Sequence, residues 1–201
     1  MMLTELEVVN ECLASMGELP INSIVNSTNP MVTNARNAFQ RANVGEQGVG
    51  WWFNTEMVTL SPQAGSGEYY VPTDTLSLYT KDKFNPSWLT IRGRKLYDVG
   101  TASFFTGTQQ LKVKIIRYLP FNDLPYNAQR LVSASCVEKF QLNYDGDQQK
   151  QQAAADEYEA ASSLCMMDHT RAVGANMLNQ GGTGRDRALT RIPFATGRRF
   201  R

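Results

Sequence analysis

The sequence has a single histidine and only three cysteines, and this scarcity excludes several kinds of site. One histidine cannot build a histidine metal cluster, and no two cysteines have the C-x-x-C spacing of zinc or redox sites. Cys12, Cys136 and Cys165 each fall beside apolar residues on predicted helices, so we expect buried free thiols rather than a disulfide framework. His169 has no nucleophile motif near it and is predicted to be an ordinary surface histidine. Neither a metal site nor a cofactor is predicted.

Long apolar runs are also missing. No stretch approaches the roughly 18–20 residues of a membrane-spanning helix, so no membrane partner is predicted. The first five residues lack the basic and apolar regions of a signal peptide, and we expect synthesis in the cytoplasm. With 42% hydrophobic and 19% charged residues, the composition is that of a globular protein large enough for one large or two small domains.

The net charge of +1 hides an uneven distribution. The 28 residues from Gly174 hold six arginines and one aspartate, a charge of +5, so the preceding residues keep 14 of the 20 basic and 18 of the 19 acidic residues. Residues 176–201 are glycine-rich and lack apolar periodicity, which predicts a flexible basic arm. Three interpretations remain open for the arm: a solvated end, a contact with nucleic-acid phosphates, or a segment that orders on an acidic protein surface. Its predicted partner-binding residues are Arg185, Arg187, Arg191, Phe194, Arg198, Arg199, Phe200 and Arg201.

Apolar periodicity predicts an α+β fold. Helical spacing occupies residues 1–50, where Thr4 and Glu7 form a capping box and Asn29 precedes Pro30 at a second helix start. Helical spacing returns over residues 120–175, where one helix is predicted to run to about Tyr144. Asp145-Gly146-Asp147 is predicted to break it and to cap a further helix, which ends at Gly174.

Between these two helical regions, residues 51–119 alternate in short segments with turn residues, as an antiparallel sheet or small barrel-like unit does. The candidate strands are Phe53–Leu60, Tyr69–Val71, Thr75–Thr80, Trp88–Ile91, Lys95–Val99 and Gln110–Tyr118. We therefore predict a four-helix, bundle-like domain with an inserted antiparallel β domain and a flexible C-terminal arm.

The spacing of apolar residues changes from helical to alternating at Trp51, Trp52 and Phe53, the densest apolar patch in the chain. Large aromatic side chains are well suited to fill the seam between a helical layer and a sheet, and this structural role is the first interpretation. The alternative is an exposed platform that stacks on a sugar or a base.

Catalytic motifs are scarce. Glycoside hydrolysis requires two carboxylates that face each other across a cleft, and Glu56, Glu68, Asp74 and Asp98 are the residues that could converge in the β domain. The pattern alone does not bring any two of them together. No catalytic residue is predicted.

Several short motifs, in order and spacing, resemble the tail tubular protein A family of short-tailed bacteriophages. They are Glu5-Leu6, Val9-Asn10, Leu13-Ala14-Ser15-Met16-Gly17-Glu18-Leu19-Pro20, Gly50-Trp51-Trp52-Phe53-Asn54, Leu60-Ser61-Pro62, Gly93-Arg94-Lys95-Leu96-Tyr97-Asp98 and Leu124-Pro125. Together they cover about residues 3–125, with looser similarity through the later helices to about Leu178.

The resemblance implies a structural adaptor, or gatekeeper, of the virion. Such a protein forms a dodecameric ring between the portal and the nozzle (tail tubular protein B), offers attachment surface to the tail fibre, and lines the path of double-stranded DNA ejection without sequence readout. The C-terminal arm would reach the portal. The family motifs are structural, so no catalytic residue carries over. The alternative function is a tail enzyme or binder that acts on glycans of the bacterial surface.

Overall fold

The computed structural model describes residues 2–25, 29–79, 89–144 and 147–174. Within these ranges it contains helices and antiparallel strands, which confirms the predicted α+β class. The described elements are α1 (Glu5–Ser15), α2 (Pro30–Gln47), β1 (Thr55–Leu60), β2 (Thr75–Tyr79), β3 (Leu89–Arg92), β4 (Lys95–Asp98), β5 (Ser103–Phe104), β6 (Leu111–Arg117), α3 (Tyr126–Tyr144) and α4 (Gln148–Val173). The predicted arm, residues 176–201, lies outside the described residues.

The described chain divides into two compact units. The helical unit draws on Met1–Trp52 and on the chain from Phe121 onward, so it contains α1, α2, α3 and α4. The β unit spans Phe53–Pro120 and contains all six strands named above.

The helix starts follow the local signals in the sequence. The Thr4 side chain accepts the backbone N–H of Glu7, and the Glu7 carboxylate accepts the backbone N–H of Thr4, which completes the predicted capping box. Asn29 accepts the N–H of Met31 ahead of Pro30 at the start of α2. The helix α2 continues through Gly45 to Gln47, because Asn43, Glu46 and Gln47 around this glycine are buried in the unit.

The last two helices also end where expected. A short 3-10 turn over Phe121–Asp123 precedes α3, which packs against all three other helices of the unit. Asp147 caps α4 by accepting the N–H of Gln149 at 2.9 Å. Gly174 ends α4 with φ of 62°, a left-handed conformation that suits glycine at a helix C-terminus.

The core of the helical unit mixes apolar and polar side chains. Each helix contributes to the apolar part, including Val8, Leu13, Ala35, Phe39, Leu131, Phe140 and Ala161. The polar part, also buried, comprises Asn43, Glu46, Gln47, Gln129, Ser133, Ser135 and Gln141. These polar groups need hydrogen-bonding partners, because an unpaired buried donor or acceptor costs stability.

The β unit consists of two three-stranded antiparallel sheets, ordered β1-β6-β2 and β3-β4-β5. The antiparallel arrangement was predicted, but the short strand β5 was not. We also expected a strand over residues 69–71, and this was wrong: Tyr69 and Tyr70 make single bridges only. Tyr69 instead turns its side chain inward, and its hydroxyl donates to the Gln109 carbonyl at 2.6 Å.

Apolar side chains from both sheets form one core in the β unit. Alternation along β6 buries Val113 and Ile115 and leaves Lys112 exposed. The buried cluster comprises Leu60, Tyr69, Val71, Leu89, Leu96, Val113 and Ile115.

Candidate interaction surfaces

Trp51 and Trp52 lie a few residues after the C-terminal end of α2 and pack edge to face, with ring centroids 6.4 Å apart. Trp51 is buried, and its indole N–H donates to the Glu46 carbonyl at 2.8 Å. Its ring is therefore inaccessible to a sugar or base, and the platform interpretation fails for this residue. Phe53 is half-buried and begins the β unit. The seam role of these three aromatics stays a prediction.

His169 is not an ordinary surface histidine, so that expectation was wrong. Its ring lies 5.8 Å from the ring of Trp51 and 6.1 Å from that of Trp52, and its Nδ1 accepts the backbone N–H of Trp52 at 3.2 Å. The histidine thus ties α4 to the end of α2. Its position 117 residues away in sequence hides this contact from local pattern analysis.

The three cysteines are free and buried, as predicted. The sulfur atoms of Cys12 and Cys136 lie 3.4 Å apart, and their hydrogen bond together with burial raises the pKa of the Cys12 thiol. Burial raises the pKa of Cys165 to about 12. Thiols with raised pKa values are poor nucleophiles, so these side chains act as core residues.

Among the described residues, the four candidate carboxylates of the β unit do not assemble a hydrolytic pair. Glu56 and Asp74 meet, but at Arg117: its Nε donates to Asp74 at 2.7 Å and its Nη1 to Glu56 at 3.0 Å. These hydrogen bonds, the one with Asp74 first, raise the pKa of the Arg117 guanidinium. The guanidinium occupies the space between the carboxylates that a substrate would need.

The other two candidate carboxylates lie elsewhere. Glu68 pairs with Lys95 at 2.8 Å, and the hydrogen bond from Lys95 lowers the pKa of Glu68. Asp98 is buried and accepts the N–H of Gly100 at 2.8 Å, which stabilises the turn after β4. Each of these carboxylates thus has a structural partner.

Exposed aromatic and basic side chains share one face of the sheet β3-β4-β5. Arg92 stacks 3.6 Å above the ring of Tyr97, and Lys95 lies 5.5 Å from the ring of Tyr70 and 5.4 Å from that of Phe104. Tyr70 and Phe104 are 42% and 45% exposed. We call these five residues the aromatic–cation face. This face was not predicted, although the alternation in Lys95-Leu96-Tyr97-Asp98 places the lysine and tyrosine on one side.

A polar network links three helices inside the helical unit. Ser135 donates to the Glu46 carboxylate at 2.6 Å, and Lys139 donates to Ser135 at 2.7 Å. Burial, followed by the charges of Glu46 and Glu138, raises the pKa of Tyr158 to about 12. Ser135 is fully buried, so this serine–lysine pair cannot meet a substrate and serves to hold the helices together.

A groove runs along the exposed side of α2, next to the C-terminal half of α3. It consists of a cavity of about 330 Å³ and a second, more open hollow that share Asn37 and Arg41. We call it the α2 groove. Its lining comprises Asn34, Asn37, Ala38, Gln40, Arg41, Val44 and Gly45 from α2, and Lys139, Asn143 and Tyr144 from α3.

A second surface is the solvent side of α4. This helix has 26 residues, yet only Ala161 and Cys165 are fully buried. Residues at alternating spacings of three and four lie on one side of a helix, and on α4 they are exposed. We call this stripe the α4 outer face; it comprises Ala153, Asp156, Ala160, Ser163 and Met167.

The described residues contain neither a grouped set of metal ligands nor a membrane-spanning helix. No three histidine, cysteine, aspartate or glutamate side chains in these ranges are grouped to hold a metal ion. None of the described helices combines the length and the apolar character that crossing a membrane requires. The predicted arm residues, from Arg185 to Arg201, lie outside the described ranges.

Comparison with known proteins places the chain in a family. Residues 6–175 match the family model described as tail tubular protein, a match that covers α1 through α4 and the whole β unit. The chain is also similar to tail tubular protein A of Klebsiella phage KP34: 30% of 167 aligned residues are identical, over 83% of this chain and 87% of that protein. The chain therefore belongs to the tail tubular protein family, whose members are structural components of bacteriophage tails.

Proposed function

We propose that this protein is a virion adaptor that forms a ring between the portal and the tail nozzle and lines the path of DNA ejection. The observation that carries the proposal is the family match from residue 6 to residue 175, which spans both units rather than one shared module. The ring is proposed to be dodecameric. Its remaining partners are a second tail tubular protein, type B, and the tail fibre.

The exposed helical surfaces support an assembly role. Most of α4 faces solvent, and its outer face is composed of small and polar residues with few large apolar ones. Such a surface can pack closely against a neighbour without forming an apolar patch that would aggregate the free subunit. The α2 groove offers a second lateral surface.

The charge balance supports passage of DNA without tight binding. Outside the arginine-rich end, acidic residues outnumber basic ones by 18 to 14. Affinity for DNA phosphates depends on lysine and arginine contacts, so a weakly acidic body holds the duplex poorly. Double-stranded DNA is therefore proposed to pass through the channel without recognition of its base sequence.

The arm is proposed to bind the portal through its six arginines and two phenylalanines. The test compares the full chain with a chain that ends at residue 175, using purified portal rings and a pull-down or light-scattering measurement. We expect the truncated chain to melt at the same temperature and to lose portal binding. Normal docking of the truncated chain would contradict the role of the arm.

Two charge variants refine that test. Replacing all six arginines by lysine keeps the charge, and replacing them by glutamine removes it. If docking acts through charge, the lysine variant binds and weakens with added salt, whereas the glutamine variant does not bind. Equal binding by both variants would assign docking to Phe194 and Phe200.

A second candidate function is binding of surface glycans by the aromatic–cation face. Aromatic rings stack on the C–H faces of sugars, and Arg92 and Lys95 could pair with carboxylates of an acidic polysaccharide. The arrangement favours binding over cleavage, since Arg117 separates Glu56 from Asp74.

The test for this candidate uses purified acidic capsular polysaccharide and tryptophan fluorescence or calorimetry. Changing Tyr97 and Phe104 together to alanine should abolish binding. Tyr79→Ala is the matched control, because Tyr79 is a 51% exposed tyrosine on the other sheet. Equal loss in both proteins, or no binding by the original chain, would exclude the glycan role.

A further inference from the structure

The α2 groove is basic and amide-rich, and none of its lining residues is acidic. Arg41 makes no ion pair with another described residue, and it lines both hollows. Lys139 lines the same groove, although its ammonium also contacts Ser135 and Glu46. A groove of this kind fits a partner that supplies carboxylates together with polar groups for the asparagines.

The groove can also admit a helix at close range. Ala38 and Gly45 contribute little side-chain bulk to its lining, and a Cβ built on Gly45 would meet no atom within 4 Å. Small residues let two helix backbones approach closely, so side chains from the partner can reach the floor of the groove.

The α4 outer face has the complementary chemistry. On this stripe Asp156 lies between Ala153 and Ala160, and Glu159 flanks it one turn along the helix. The 26-residue helix is roughly 39 Å long, enough to span the groove with several turns to spare. The acidic side chains of α4 are complementary in charge to Arg41 and Lys139 of the groove. Small residues on both surfaces allow the two helices to pack closely.

Both surfaces are exposed in the single chain, so neither one covers the other within the same subunit. We infer that the α4 outer face of one copy lies in the α2 groove of the next copy, with Asp156 beside Arg41. The inference rests on the proposed ring function and specifies the contact that would build the ring. Because the two surfaces differ, the contact is heterologous, and such contacts produce a closed ring when the rotation between copies is suitable.

A charge swap tests the pairing. Arg41→Glu and Asp156→Arg each place like charges together, and we expect each single variant to reduce the assembled fraction at least about tenfold. The double variant restores opposite charges and should recover most of the assembly. Lys112→Glu is the control, because Lys112 is an exposed cation on β6 outside the groove. Assembly is measured by mass photometry, alone and with portal rings, after melting curves confirm folding.

Wild-type assembly by both single variants would overturn the inference. A double variant that assembles no better than either single variant would do the same. Both substitutions lie on exposed positions, so a general loss of folding is not expected.

Site-directed crosslinking gives an independent readout. Arg41→Cys and Asp156→Cys are introduced together and joined with a short bis-maleimide, while the three native cysteines are buried. Mass spectrometry should find position 41 of one copy linked to position 156 of another. A ring without this link, or with position 41 linked to the portal instead, overturns the inference and leaves the proposed function standing. No ring under either condition overturns both.

Discussion

The two units of this chain use different means to specify their structures. The helical unit buries several polar side chains, among them Gln129, Ser135 and Glu46, and these pair with groups distant in sequence. The β unit has an apolar core, and its ion pairs, such as those of Arg117, lie nearer the surface. Among the described residues of the β unit, the buried polar ones are Asn54 and Asp98.

The difference shows which interactions select a single packing arrangement in each unit. Apolar side chains stabilise any arrangement that fills the core volume, whereas a buried polar group is stable only with a particular hydrogen-bonding partner. Short strands gain their register from side-chain alternation, so an apolar core suffices for the β unit. Helices of low amphipathicity, such as α3 and α4, can rotate or slide, and the polar network selects one arrangement.

The largest expected effect tests packing in the helical unit. Phe140 is fully buried and its ring lies 4.9 Å from that of Tyr144. Phe140→Ala should lower the free energy of unfolding by about 3–5 kcal/mol, through lost transfer energy and the cavity left behind. Urea unfolding measures the change, and Leu142→Ala, at a 68% exposed position of the same helix, is the control. A loss below about 1 kcal/mol would mean that this core tolerates cavities.

The next effect compares polar groups between the units. The Gln129 side chain accepts the N–H of Leu3 and donates to the Phe121 carbonyl, each at 3.0 Å. Gln129→Leu leaves the N–H of Leu3 without its partner and removes one of the two hydrogen bonds at the Phe121 carbonyl, which also accepts the N–H of Leu124. The substitution should cost about 2–3 kcal/mol. Tyr69→Phe, which removes one hydrogen bond in the β unit, should cost about 1 kcal/mol. If urea unfolding gave equal losses of stability for Gln129→Leu and Tyr69→Phe, the proposed difference between the two units would be wrong.

An alkaline effect probes the network at α4. Burial raises the pKa of Tyr158 from 10.0 to about 12, so the folded state holds the phenol proton more tightly than the unfolded state. This contribution is fully present below pH 10 and is lost as pH rises towards 12. Allowing for partial solvent screening, we expect Tyr158→Phe to reduce the alkaline loss of stability by about 1 kcal/mol. Identical stability–pH curves for both proteins would contradict the assignment.

The smallest effect concerns the ion pairs of the β unit. Arg117 is partly exposed and pairs with Glu56 and Asp74. Arg117→Gln should lower the free energy of unfolding by no more than about 1 kcal/mol, and the difference should shrink in high salt. Thermal melts at low and high salt measure it. A loss as large as that of Gln129→Leu would show that the β unit also depends on polar contacts.

Local signals predicted most of the secondary structure. The capping box at Thr4, the Asn29-Pro30 start and the Gly174 end are set by backbone groups within a few residues, so sequence alone reveals them. Strand β5 was missed because two residues are too few to show alternation. Residues 69–71 were predicted as a strand because they are apolar and aromatic. Such residues are also buried in loops, so their presence alone does not distinguish the two structures.

The candidate surfaces were less predictable. His169 looked ordinary because its partners, Trp51 and Trp52, are more than a hundred residues away. The sequence left open whether any acidic candidates converge, because Arg117 comes between Glu56 and Asp74 only when β1, β2 and β6 are aligned. The aromatic–cation face likewise requires three strands in register.

Sequence by itself determined the helix boundaries, the α+β class, the buried thiols and the family, because each depends on local spacing or on residue order. Tertiary structure alone decided which polar groups meet, which aromatics stay exposed and which helix faces remain uncovered. The physical reason is that hydrogen bonds, ion pairs and burial depend on distances of a few ångströms between residues that the chain separates widely, and only folding sets those distances.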